Sequence, residues 1–90
     1  MDDIKKGMLA ISKAGHDFKK VYMIVDFDDE YVYLCDGVLR KADRPKKKKY
    51  KHIQIVKNVP TEWLRYFEGN AKPTDTEIKK AVKAFSDRFV

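Results

Sequence analysis

A chain of ninety residues, 43% hydrophobic and 38% charged, is too short to fill a second core and too apolar for wholesale disorder. Its one cysteine, Cys35, excludes an internal disulfide and a cysteine-built zinc site, and its apolar neighbours make it a small strand residue in a reducing compartment. The net charge of +6 is not spread evenly: Arg40 to His52 holds eight basic side chains against Asp43, a local +7, so the rest of the chain stands at −1. Charge concentrated in this way points to a polyanionic partner, where a diffuse excess would speak only of solubility.

In chain order, the N-terminus is charged and lacks the apolar run of a signal peptide, and nothing approaches the roughly 20 apolar residues of a membrane span. The expectation is a soluble, cytoplasmic protein with no membrane partner. Met8–Lys13 reads as a first strand ended by Ala14-Gly15, and Val21–Phe27, rich in β-branched and aromatic residues, as a second. Asp28-Asp29-Glu30 has no β-propensity and makes a polar turn into a third strand, Tyr31–Cys35. Asp36-Gly37 is a hairpin dipeptide, after which Val38-Leu39 opens a fourth strand; Lys51–Val56 alternates as a fifth. Short strands with turn signals this frequent predict a small barrel or sandwich.

Beyond residue 56 the pattern changes. Pro60–Phe67 fits a turn or short helix whose Trp63 and Phe67, four apart, lie over an open barrel end. Thr74-Asp-Thr-Glu77 is a capping box, and Ile78, Ala81, Val82, Phe85 and Phe89 follow at helical spacing. The expected fold is therefore mainly β with a C-terminal α-helix. Residues 1–56 form the barrel and residues 57–90 a helical extension packed on it as one folding unit.

Two segments carry the candidate chemistry. Lys46, Lys47, Lys48 and Lys49 displace counterions condensed on a nucleic acid, or else form a solvated loop without a role. Pro45 keeps the run out of a helix, and Lys51-His52 carries it into the fifth strand, where polar side chains face RNA while Ile53 and Ile55 face the core. Arg40 and Arg44 suit stacking and bidentate phosphate contacts, with Lys41 between them. The loop after the first strand holds Lys13, His16, Lys19 and Lys20 around Gly15, whose missing side chain admits a close phosphate; the ordinary alternative is a hairpin glycine.

Ser12-Lys-Ala-Gly15-His-Asp, then Tyr31-Val32, then Asp36-Gly37-Val-Leu-Arg40-Lys41, then Pro45-Lys-Lys-Lys-Lys49-Tyr-Lys-His52 resembles the archaeal and eukaryotic large-subunit ribosomal protein family fourteen-e. It is similar as well to short bacterial KOW-domain RNA-binding proteins. The likeness spans about residues 5 to 55 and implies an SH3-like (KOW) barrel that binds RNA, ribosomal RNA first, through its first loop and basic segment. Lys19 stands where that family has a second loop glycine.

Tyr22, Phe27, Tyr31 and Tyr33 either offer a stacking platform for unpaired bases or fill the core. His16 and His52 show no catalytic carboxylate–histidine or cysteine–histidine pattern, Asp28-Asp29-Glu30 is too small for a metal cage, and no glycine-rich phosphate loop is present. A non-catalytic RNA-binding protein without cofactor is the leading reading, its helical tail capping the barrel or docking ribosomal or other proteins. A protein-interaction adaptor using Trp63, Phe67 and the tyrosines is the alternative, and polybasic membrane attachment a weaker third. The leading reading requires the cationic side chains to be presented together rather than scattered over opposite faces.

Overall fold

The computed structural model describes residues 4–89, with the backbone alone at Phe89. Five strands, β1 (Leu9–Ser12), β2 (Val21–Phe27), β3 (Tyr31–Cys35), β4 (Lys46–Lys49) and β5 (Ile53–Val56), form one antiparallel sheet in the order β4-β3-β2-β1-β5. A 3₁₀ turn, Tyr50–His52, leads from β4 into β5, and two helices follow, α1 (Thr61–Arg65) and α2 (Asp75–Phe89). The second and third strands have the predicted bounds. The turn between them closes on Asp28, whose Oδ1 accepts the amides of Glu30 (2.9 Å) and Tyr31 (2.8 Å).

The two faces of the sheet bury different clusters. Met8, Ala10, Tyr22, Ile24, Val32, Leu34 and Ile53 share one face. Leu9, Val21, Met23 and Cys35 lie on the other, beneath Trp63 and the Ile78 and Ala81 face of α2. A register shift between Ile24 and Asp26 places an extra residue in β2, so Phe27, opposite Val32, joins the face of Tyr22 and Ile24. The capping box forms as predicted: Glu77 donates its amide to Thr74 Oγ1 (3.1 Å) and its Oε1 accepts the Thr74 amide (2.9 Å). The side chain of Phe89, the last residue predicted on the apolar face, lies outside the described residues. Cys35 is fully buried, which pushes its thiol up to about 12 with help from Asp75, Asp36 and Asp43.

The predicted fourth strand is displaced. Val38 and Leu39 are not in a strand but in an exposed turn. Asp36 Oδ1 accepts the amides of Val38 and Arg40 (both 2.9 Å), removing the donors a ladder would need. Gly37, at φ +80°, passes so close to the start of α2 that a Cβ there would collide with the Asp75 carbonyl and the Lys79 amide. The strand forms instead from the four lysines, and the fifth begins at Ile53 because Tyr50–His52 has turned into 3₁₀ geometry.

Candidate nucleic-acid interface

Lysine has little β-propensity, so pairing with β3 and side-chain partners must hold β4 in place. Its register, Lys49 opposite Tyr31, Lys48 opposite Val32, Lys47 opposite Tyr33 and Lys46 opposite Leu34, alternates the lysines between faces. Lys46 and Lys48 point to the side of Val32 and Leu34, where Asp17 meets them. Lys48 Nζ lies 2.6 Å from Asp17 Oδ1, 2.7 Å from Ser12 Oγ and 2.9 Å from the Ala14 carbonyl; Lys46 Nζ lies 2.8 Å from Asp17 Oδ2. Ser12 Oγ (2.8 Å) and the Tyr22 hydroxyl (2.9 Å) also reach this carboxylate.

Burial alone would raise the Asp17 carboxyl, but hydrogen bonds from Lys46, Lys48, Ser12 and Tyr22 hold it far below its ordinary 3.8. Tyr22 moves the opposite way, through burial and its bond to Asp17. The side chains of Asp17 and Lys48 are only 9% and 10% exposed, so this is an interior ion cluster rather than a surface pair. It fastens the first loop to β4. Lys47 takes the other side, its Nζ 4.1 Å from the Tyr31 ring centre, and its charge helps lower the Asp28 carboxyl behind the amides of Glu30 and Tyr31.

The lysine run is therefore not presented as a unit. Two of its charges are engaged by Asp17, and Lys49, opposite Tyr31, sits at the end of the sheet that carries the acidic turn.

The other predicted residues do converge. In an antiparallel sheet alternate connections leave at the same end, so the loops 13–20 and 36–45 emerge together, joined by the entry to β5, where Ser12 pairs with Ile53. Direct bonds tie them: the Lys13 amide donates to the His52 carbonyl (2.8 Å), and Lys20 Nζ lies 2.9 Å from Asp36 Oδ2. Asp36 is buried, which would raise its carboxyl, yet the Arg40 and Val38 amides and Lys20 hold it low. Lys13, Gly15, His16, Lys19, Arg40, Lys41, Arg44 and Lys51 are exposed, and His52 is half-buried. Asp28, Asp29 and Glu30 occupy the opposite end, so the sheet is polarised along its strands.

Lys19 shapes the first loop. It adopts φ +70°, the left-handed conformation that glycine favours, and its amide donates to the Ser12 carbonyl (2.8 Å). The first loop thus turns as a glycine would turn it. Two participants escaped sequence reasoning. Asp17 had no visible lysine partners, because lysines at 46 and 48 share a face only if the run is a strand. Phe18, 59% exposed with Lys19 Nζ 5.5 Å from its ring centre, is an apolar ring held out among cations. Of the residues expected for an adaptor surface, Trp63 is buried with Phe67 packed in the same cluster, while Tyr31 and Tyr33 are half-buried.

Among the described residues no helix is long and apolar enough to cross a membrane. Compared with known proteins, the chain matches no family model and no curated protein.

Proposed function

We propose that this is a non-catalytic RNA-binding module of a reducing, cytoplasmic compartment. Its sheet closes into an SH3-like barrel of the KOW kind, and its basic end meets structured RNA, ribosomal RNA by resemblance. The observation that supports this reading is the convergence of three basic segments, distant in the chain, at one end of a rigid sheet with the acidic turn at the other. Lys13, Lys19, Lys41 and Lys51 neutralise phosphates there, while Arg40 and Arg44 add planar guanidinium groups for stacking or bidentate contact. Phe18 extends the surface with a ring on which an unpaired base stacks. Discrimination comes from RNA shape, since lysines read phosphates rather than bases.

The test is a salt titration of binding to a structured ribosomal RNA fragment. Engagement of about four to six phosphates gives a slope of log K against log salt of roughly −3 to −5. A flat response, or affinity unchanged in an Arg40→Glu, Arg44→Glu double variant, would refute the reading.

A further inference from the structure

Beside the basic end, a cleft of about 380 Å³ lies between the first loop, the Asp36–Arg40 turn and α2. Val21, Val38 and Val82 give it an aliphatic lining, and Lys19, Lys20, Lys79 and Lys83 stand around it. Lys20 is bound to Asp36, and Lys83 Nζ lies 3.3 Å from Asp87, an exposed contact that solvent weakens. Lys19 and Lys79 are exposed. The lining therefore combines apolar surface with a net positive rim.

A second observation concerns the turns that flank this cleft. Val38, 52% exposed, lines the cleft, and Leu39, 77% exposed, follows it in the same turn. Asp36 holds this turn out of a strand by accepting the amides of Val38 and Arg40, on either side of Leu39. Large apolar side chains gathered around one charged cleft mark a contact surface more readily than scattered exposure does.

We propose that this cleft docks an acidic peptide segment of a partner protein, one whose leucine or phenylalanine side chains enter the aliphatic lining while its carboxylates meet the lysines. Charge complementarity fixes the sign of the partner, and the lining fixes its anchors. Nucleic acid fits less well: unpaired bases are held by aromatic rings or guanidinium planes, and the described residues lining the cleft supply neither. The cleft shares Lys19 with the proposed RNA surface, whereas Lys79, Val82 and Lys83 lie on α2, outside the basic end, and can be changed separately.

The experiment titrates the full chain against a short fluorescent peptide of glutamate and aspartate with leucine and phenylalanine anchors. A control of equal charge carries serine at the anchor positions. The anchored peptide should bind about tenfold more tightly than its control, and Lys79→Glu with Lys83→Glu should weaken it by about tenfold or more. Lys47→Glu should leave peptide affinity unchanged. Equal binding of the two peptides, or no binding by about 1 mM, overturns the proposal. So does a double variant that loses RNA affinity and keeps peptide affinity, which would assign the cleft to nucleic acid. Should the double variant fail to fold, amide shifts of the unmodified protein decide: movement at Val38, Lys79 and Lys83 supports the proposal, and movement confined elsewhere overturns it.

Discussion

Asp17 is the residue on which the loop and the edge strand both depend. Its carboxylate accepts from four side chains and offsets two lysine charges, so replacing it with asparagine leaves Lys48 without a counter-charge in a nearly closed site. Asp17→Asn should lower unfolding free energy by about 3 kcal/mol in urea denaturation. Lys48→Met should cost less, about 1–2 kcal/mol, because Asp17 keeps Lys46, Ser12 and Tyr22. The pH dependence follows from the sign of the shift: the folded carboxyl titrates below its ordinary 3.8. Its contribution is therefore complete above the unfolded value and is lost as pH falls toward the folded one. Acid titration of stability should show a loss beginning below about pH 4 that Asp17→Asn largely removes. Lys19 gives a second residue-scale test. Relief of its left-handed backbone in Lys19→Gly should raise the melting temperature slightly, a net gain of no more than about 1 kcal/mol after glycine's larger unfolded-state entropy is subtracted.

At the scale of elements, β4 shows how pairing overrides propensity. Four consecutive lysines repel one another in a loop, whereas a strand sends alternate side chains to opposite faces, giving Lys46 and Lys48 the two oxygens of Asp17 and Lys47 the Tyr31 ring. Lysines on an edge strand also discourage edge-to-edge association. The two faces should respond differently to mutation. Lys46→Glu with Lys48→Glu places three carboxylates together and should prevent folding, read as loss of the cooperative transition. If the protein binds RNA as proposed, Lys47→Glu with Lys49→Glu should leave the fold intact and weaken that binding only slightly, because these side chains stand toward the acidic turn. A large loss of RNA affinity in the second variant at unchanged melting temperature would contradict the division drawn between the faces.

Over the whole molecule, function depends on which ends and faces the connections reach. If the basic end is the RNA surface, Lys13→Glu with Arg40→Glu should lower affinity by about a hundredfold at low salt and flatten the salt slope by about two. The same number of changes at the acidic end, Asp29→Lys with Glu30→Lys, should leave that slope within one. Filter binding at several salt concentrations separates the two. Much of this architecture was legible locally: β2 and β3, the Asp28 turn and the Thr74–Glu77 cap each follow from side chains acting on backbone a few residues away. The chain alone also located the charge excess in residues 40–52 and placed the loop glycine and its cations. Where β4 begins was not legible, since Val38-Leu39 has the stronger strand propensity and loses only because Asp36 and the start of α2 hold it as a turn. The division of the lysine run belongs to tertiary structure for the same reason. Propensity and charge are properties of neighbours in sequence, whereas the facing of a side chain depends on register with a strand a dozen residues distant and on a carboxylate, Asp17, about thirty residues away.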